Sequence, residues 1–271
     1  MEIADRVFVR RYQFYDQNIV AVVDGGDALL VDTRTTCGQA REIVDDLRAL
    51  GAPRVSVVVN THGHYDHVFG NRVFRPVPIW GHERCVTMIE RLGEAHRAAI
   101  SAEIPELAAE LAEVELDPPD RTFAERTTVE IGSRSIELTY LGRGHTDNDI
   151  VIRVPDADVV CAGDLLENGT APYFGDGYPM DWPATAARLL ELVGDRTIVV
   201  PGHGGHAGRA FVETSLDAFR SIAALARQVA ASELDLEVAV VAAPYPADAA
   251  REPLERAIAQ LRGELDAPPD P

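Results

Sequence analysis

The stretch THGHYDHVFGN occupies residues 61–71, directly after the apolar run VSVVVN. Three of the chain's eight histidines and one aspartate fall within six positions of it. Residues 55–59 are rich in β-branched side chains and predict a buried strand, so the cluster sits on the loop at that strand's end. His62 and His64 are two apart; in extended backbone both project to one side and can converge on one ion. Asp66 and His67 follow on the first turn of an expected helix and point to a neighbouring position. Neutral imidazole and carboxylate suit zinc, and also iron or manganese. A histidine-rich surface turn is the lesser alternative for the stretch taken alone.

The rest of the chain repeats the pattern. GRGHTDND, residues 142–149, places His145 among turn residues just before the strand-like DIVIRV. CAGDLLE, residues 161–167, places Asp164 at the end of the apolar VVCA, and TIVVPGHGGH, residues 197–206, places His203 just past TIVV. In each case a strand ends and a metal-binding side chain appears in the adjoining loop. Loops at one edge of a sheet form a natural site, so these side chains can meet.

Around these motifs the pattern alternates between strand and helix. Residues 6–12 and two apolar runs joined at Asp24-Gly25-Gly26-Asp27 predict β structure, the latter a hairpin. Residues 37–51 predict a helix and 78–80 a short strand. Residues 83–115 predict two helices broken near Ile104-Pro105. Strands are expected at 127–131, 135–141, 149–154, 159–162 and 197–200, and helices at 181–193, 208–231 and 248–265, before a Pro/Asp-rich tail expected to fray. Each half has its own sheet with helices outside. The expectation is one domain over 1–271, with 208–271 its C-terminal helical part.

The net charge of -19, from 25 Lys+Arg against 44 Asp+Glu, argues against a nucleic-acid role, and the basic residues are all arginine and scattered. Three well-separated cysteines outside any CxxC arrangement suggest a reducing compartment. The N-terminal MEIADRVFVRR lacks an apolar core for a signal peptide, and no run approaches the roughly 18 residues that span a bilayer. The expected setting is cytoplasmic, without membrane or nucleic-acid partners.

The series THGHYDH, GHT, AGD and PGHG resembles the motif series of the metallo-β-lactamase superfamily, in its usual order. The likeness runs from about Leu29 to His203 and implies a four-layered αβ/βα sandwich: two packed mixed sheets with helices outside. It implies that His62, His64 and His145 hold a first metal, that Asp66, His67 and His203 hold a second, and that Asp164 bridges them. Asp32, in LLVDT, matches an acidic residue that orients the ligand loop from behind. The implied cofactors are two divalent ions, zinc first, with iron or manganese as alternatives. The implied chemistry is hydrolysis by a metal-bridged hydroxide, with Asp66 orienting it or shuttling its proton.

The substrate expected is a small molecule: an ester, thioester, lactone or amide, with a β-lactam among the last. GHTDNDIVI looks closest to class B β-lactamases, yet those commonly carry cysteine at the position of Asp164 and several carry lysine at that of Glu167. The donor set is similar to that of glyoxalase II and the lactonases, although the acidic region after Leu234 disfavours glutathione. NGTAPYFGDGYPMDW, residues 168–182, is the candidate substrate loop, with Tyr173, Phe174 and Tyr178 as contacts; the alternative is that its rings pin the loop to the body. Trp182 is read as packing, His82 as a helix-start hydrogen-bonding residue and His96 as solvated. His206 is close to His203 in sequence but is not assigned to the site. Residues 83–115 are read as an outer layer rather than a lid. Two rival readings stand: a mononuclear-iron dioxygenase of the persulfide dioxygenase type on His62, His145 and Asp164, and a non-catalytic metal-stabilised binding protein. A nuclease is disfavoured by charge, and the oligomeric state is left open.

Overall fold

Alternation explains the first sheet. In residues 18–31, Val20 and Val22 point one way and Ile19 and Ala21 the other, yet both sets are buried. A strand with two apolar faces must lie between two layers. The computed structural model describes residues 1–51 and 53–265; the tail expected to fray lies outside the described residues. In chain order the elements are β1 (Glu2–Ala4), β2 (Val7–Arg11), β3 (Asn18–Asp24), β4 (Asp27–Val31), α1 (Cys37–Ala49), β5 (Arg54–Val59), α2 (Tyr65–Val68), β6 (Ile79–His82), α3 (Glu83–Glu103), α4 (Ala108–Ala112), β7 (Arg121–Phe123), β8 (Arg126–Ile131), β9 (Arg134–Tyr140), β10 (Ile150–Val154), β11 (Val159–Asn168), α5 (Trp182–Glu191), β12 (Ile198–Gly204), α6 (Arg209–Ala230), α7 (Leu236–Ala242) and α8 (Ala247–Leu261).

The described strands form two mixed sheets, one of seven strands in the order β1-β2-β3-β4-β5-β6-β7 and one of five in the order β12-β11-β10-β9-β8. β4 to β7 run parallel, as do β11 and β12, and the remaining pairs are antiparallel. The inner faces meet through Val20, Val22, Leu29, Val57 and Val59 on one side and Ile136, Leu138, Ile150, Ile152 and Val159 on the other. Outside the first sheet, Ile19, Ala21, Leu30 and Val58 pack on Ala40, Ile43 and Leu47 of α1. Outside the second, Val151, Val160 and Val199 pack on α5 and on Val212, Leu216 and Phe219 of α6. This is the expected αβ/βα sandwich. The far half of α6 packs through Ile222 and Ala226 on α7 and α8. No helix of the described residues is long and apolar enough to cross a membrane.

Several boundaries differ from expectation. β1 and β7 are three-residue strands, too short to show a period. α7, LEVAVVA, is β-branched yet helical, because Asp235 caps its start and Ala239 and Val240 are buried among α6 and α8. The last helix ends at Leu261. Two corrections touch the site: Asp164 and His203 lie within β11 and β12 rather than beyond the strand ends. β11 continues because its register slips on both sides of Gly163, whose φ of 53° favours glycine.

The two sheets are tied together at the end where these residues gather. Asn18 donates through Nδ2 to the carbonyls of Pro201 (3.0 Å) and Gly204 (2.7 Å). Gln17 forms an isolated antiparallel bridge with His203.

Candidate metal centre

β4 ends at Val31, and the next residue, Asp32, has φ of 65°, a left-handed conformation rare for a residue with a Cβ. Such strain persists only where the surroundings hold it, and here they do. Asp32 Oδ1 accepts the Thr61 backbone N–H at 2.8 Å, and Oδ2 accepts the Thr61 hydroxyl at 2.9 Å and His67 Nδ1–H at 2.8 Å. The buried carboxylate thus anchors the loop after β5 and orients one of its histidines. Asn60 and Asn71 pair through their amides, and both Asn60 Nδ2 (3.1 Å) and the Thr33 hydroxyl (3.0 Å) donate to the His67 carbonyl. α2 then turns Asp66 and His67 inward, both buried.

The structure brings together all seven residues named from the motifs. His62 Nε2 and His64 Nδ1 lie 3.0 Å apart, and His64 Nδ1 and His145 Nε2 lie 2.7 Å apart. Asp66 Oδ2 lies 3.3 Å from both His67 Nε2 and His203 Nε2. Asp164 Oδ2 stands between the two groups, 3.8 Å from His62, 3.5 Å from His145, 3.4 Å from His67 and 3.2 Å from His203. Gly202 permits this approach, since a Cβ there would fall 1.7 Å from Asp164 Oδ1.

Every histidine of the set turns its other nitrogen to an oxygen. His62 Nδ1 meets the Thr61 hydroxyl (3.0 Å), His64 Nε2 meets Asp176 (2.8 Å), and His67 meets Asp32 as described. His145 Nδ1 meets the Tyr173 carbonyl (3.1 Å), and His203 Nδ1 the Tyr15 carbonyl (2.6 Å). An imidazole has one proton to give when neutral, so five inward nitrogens are left as lone pairs. His67 Nε2 and Asp164 Oδ1 are buried without a hydrogen-bond partner. Ligands about 2.0–2.1 Å from a tetrahedral ion are themselves about 3.3 Å apart, close to these separations. His62, His64 and His145 form one group able to hold an ion, and Asp66, His67 and His203 another. The donor set fits two divalent cations.

Charge tells the same story. Burial penalises charge at each member, but Asp66, Asp164 and Asp32 overcome it and raise His67 well above the usual range. Burial likewise opposes charge at His203, and Asp164 and Asp66 lift it to about 11. Burial, aided by His64, lowers His145 to about 4. Burial thus holds His62 and His145 neutral, whereas at His64, His67 and His203 the neighbouring carboxylates outweigh burial and favour protons that an incoming cation displaces.

His64, Asp66, His145, Asp164 and His203 floor a cavity of about 830 Å³, walled by Leu92, Ile100 and His96 of α3 and by Tyr15, Tyr65 and Tyr173. α3 is therefore a wall of the site as well as an outer layer. The substrate-loop expectation is corrected for two residues. Phe174 is 1% exposed and packs on Trp182, Phe219 and Tyr245, because the loop needs an apolar anchor over the second sheet. Tyr178 lines a separate cavity, its ring under Arg143 at 4.4 Å and its N–H on the Gly144 carbonyl at 2.7 Å. Tyr173 does face the site, 54% exposed, with its ring 6.1 Å from that of His145. Trp182 is fully buried. His82 caps α3, accepting the Arg84 N–H at 3.2 Å. His96 is not solvated: it is half-buried on the cavity side of α3, its ring 5.8 Å from that of His64. His206 is exposed and lines a different cavity.

Sequence reasoning missed Asp176, Thr61, Asn60 and the carbonyl of Tyr15. Asp176 sits in a glycine-flanked loop without informative spacing. Asn71, by contrast, closes the opening motif and could have been suspected. Glu167, noted for its charge, lines the cavity three residues after Asp164, raised to about 7 by burial and by Asp164.

Comparison with known proteins agrees with this geometry. The family model of the metallo-beta-lactamase superfamily matches residues 12–203. The chain is 26% identical over 192 residues to the metallo-beta-lactamase type 2 of Bacillus cereus, covering 70% of this chain and 67% of that protein. It is 24% identical over 200 residues to the metallo-beta-lactamase type 2 of Bacteroides fragilis, covering 72% of each. Among solved structures, TMB-1 superposes with a TM-score of 0.64 at 20% identity, over 81% of this chain and 95% of that one. A metallo-beta-lactamase from Pontibacter korlensis superposes with a TM-score of 0.63 at 21% identity, over 81% and 97%. These superpositions reproduce the sandwich, and the family match runs through the last of the clustered histidines. The chain belongs to the metallo-beta-lactamase superfamily.

Proposed function

We propose that the protein is a dinuclear metal hydrolase acting on a small ester, thioester, lactone or amide. The observation that carries this reading is the position of Asp164 Oδ2, within 3.2–3.8 Å of four imidazole nitrogens drawn from two separate donor groups. His62, His64 and His145 would hold one ion, Asp66, His67 and His203 the other, and Asp164 both. Nitrogen and oxygen donors in this number favour zinc, with iron or manganese as alternatives. When bound, the ions supply a nucleophile from water at neutral pH and polarise the substrate carbonyl.

The chain's own residues do the rest. Asp32, Thr61 and Asp176 hold the histidine rings so that no reorganisation is needed during reaction. Asp66 borders the cavity and is placed to orient the attacking water and take its proton. Leu92, Ile100 and Tyr173 line the approach. A cavity of about 830 Å³ suits a small molecule. The names of the Bacillus and Bacteroides relatives keep a β-lactam among the amides to be tried. Cys37, Cys85 and Cys161 are buried and free, which supports a reducing, cytoplasmic setting.

Metal content is the test. Two zinc or manganese ions per chain, by elemental mass spectrometry, with turnover of an activated ester or lactone, support the hydrolase. The rival iron dioxygenase has its own support, because His62, His145 and Asp164 also lie together. One iron per chain with oxygen uptake would make that reading the correct one.

A further inference from the structure

Resting on the hydrolase reading, we propose that the substrate is a cation: the leaving or acyl portion carries an ammonium or guanidinium group that docks on the carboxylate- and tyrosine-bearing wall of the cavity. The first support is the charge of that wall. No arginine lines the cavity, and the chain has no lysine, whereas Asp16, Glu103, Glu167 and Asp176 all do. Asp16 is engaged by Arg11 and Asp176 by His64. Glu103 and Glu167 are ion-paired to no arginine among the described residues. Glu167 accepts one hydrogen bond, from the Tyr173 N–H at 2.9 Å, which fixes its carboxylate beside the donor set.

The second support is aromatic. Tyr15, Tyr65 and Tyr173 line the same cavity, and the Tyr15 and Tyr65 rings meet edge to face at 6.1 Å and 67°. Tyr173 stays 54% exposed, so packing does not account for it. Phenol faces beside carboxylates, in a cleft whose apolar wall is Leu92 and Ile100, are a recognition surface for an organic cation. A carboxylate-bearing substrate meets repulsion on the same wall, and low-dielectric walls strengthen both effects.

The cavity therefore sets metal donors at its floor and carboxylates and phenols beside the apolar stretch of its wall. Loaded with metal, the floor would draw the carbonyl oxygen, while the carboxylates and phenol faces of the wall draw the substrate's positive group. A substrate with both features enters in one orientation, and one lacking the cation does not.

The test is binding of three thiols of matched length to the full-length, zinc-loaded protein by calorimetry: 2-(trimethylammonio)ethanethiol, 3,3-dimethylbutane-1-thiol and 3-mercaptopropionate. Each thiolate anchors on metal, and affinities are referred to each thiol's thiolate fraction because the ammonium group acidifies its thiol, so the corrected values differ chiefly in the charge offered to the wall. The ammonium thiol is expected to bind about tenfold tighter than its neutral isostere, with the carboxylate weakest, and the spread to shrink at high salt. Glu103→Gln is expected to reduce the spread several-fold with bound zinc unchanged. Glu103 is the last residue of α3 and belongs to neither donor group, so its variant tests the wall alone. Equal affinities, or the carboxylate binding tightest, would overturn the cation proposal and leave the metal centre standing. Failure of every thiol to bind, or loss of zinc from the unaltered protein, would overturn the hydrolase reading and the cation proposal with it.

Discussion

Asp176 grips His64 from behind: Asp176 Oδ2 lies 2.8 Å from His64 Nε2, while His64 Nδ1 faces His62 and His145 at 3.0 and 2.7 Å. The bond selects the tautomer that leaves Nδ1 free to ligate and fixes the ring's rotation. Burial disfavours charge on Asp176, but His64 more than compensates and holds the carboxyl below its ordinary range. Asp176→Ala is therefore expected to weaken metal affinity by about tenfold. Asp176→Asn should weaken it less, since an amide oxygen still accepts the ring N–H. Chelator competition with zinc measures both, and an Ala variant with unaltered affinity would show that the bond does not position the ring.

His62→Ala and Asp164→Ala should each abolish turnover and lower bound metal, because each removes a donor from the buried floor. His96→Ala separates the floor from the wall. Sequence alone made His96 a solvated residue whose loss changes nothing, but it lines the cavity on α3. Its removal should leave metal content intact and shift KM with little change in kcat. Retained turnover in Asp164→Ala would remove the two-metal mechanism.

Metal removal should also register as lost stability. Ions that bind only the folded chain, at about a thousandfold above their Kd, add about 4 kcal/mol. A melting temperature that does not fall on exhaustive chelation, with metal loss verified, would mean that the two donor groups are not a bound site.

Much of this site was legible because its residues are punctual. His62, His64, Asp66 and His67 share one loop, Asp164 and His203 each follow a readable β-branched run, and His145 just precedes one. The two-sheet layering was equally legible, since Ile19 to Val22 and Leu29 to Val31 are apolar on both faces. What escaped was whatever depends on residues distant in sequence. Asp176 reaches His64 across 112 positions and Tyr15 reaches His203 across 188. No local spacing encodes such partners. Aromatic identity was likewise ambiguous: Tyr173 and Phe174 are adjacent and of similar size, but only the fold decides which ring meets Trp182.

Those two neighbours should behave in opposite ways. Phe174→Ala removes a fully buried ring and should cost about 3–5 kcal/mol, lowering the denaturant midpoint whether or not metal is bound. Tyr173→Ala removes a ring that is 54% exposed over the cavity and should leave the midpoint nearly unchanged while altering KM. The reverse pattern would mean that the loop is held by Tyr173 and that its role at the site is misassigned.

At the far end of the sandwich, Asp24 of β3 reaches the turn between β8 and β9 and joins the two sheets. Its Oδ2 accepts the Ser133 backbone N–H at 2.6 Å and the Ser133 hydroxyl at 2.7 Å, and Arg6 pairs with its other oxygen. These bonds, led by the Ser133 N–H, hold the Asp24 carboxyl down at about 2, against an ordinary value of 3.8. A carboxyl more acidic in the folded chain than in the unfolded one stabilises fully above the unfolded value, and that contribution fades as pH falls toward the folded value. Asp24 should thus contribute at neutral pH and lose its contribution between about pH 4 and pH 2. Asp24→Asn keeps the shape but not the charge, so it should lower the denaturant midpoint at pH 7 and approach the parent's midpoint near pH 2. Glycerol-free urea titrations of both proteins at stepped pH give the difference directly, with other carboxyls common to the pair cancelling. A difference constant from pH 7 to pH 2 would assign the sheet-to-sheet tie to packing around the turn rather than to this carboxylate.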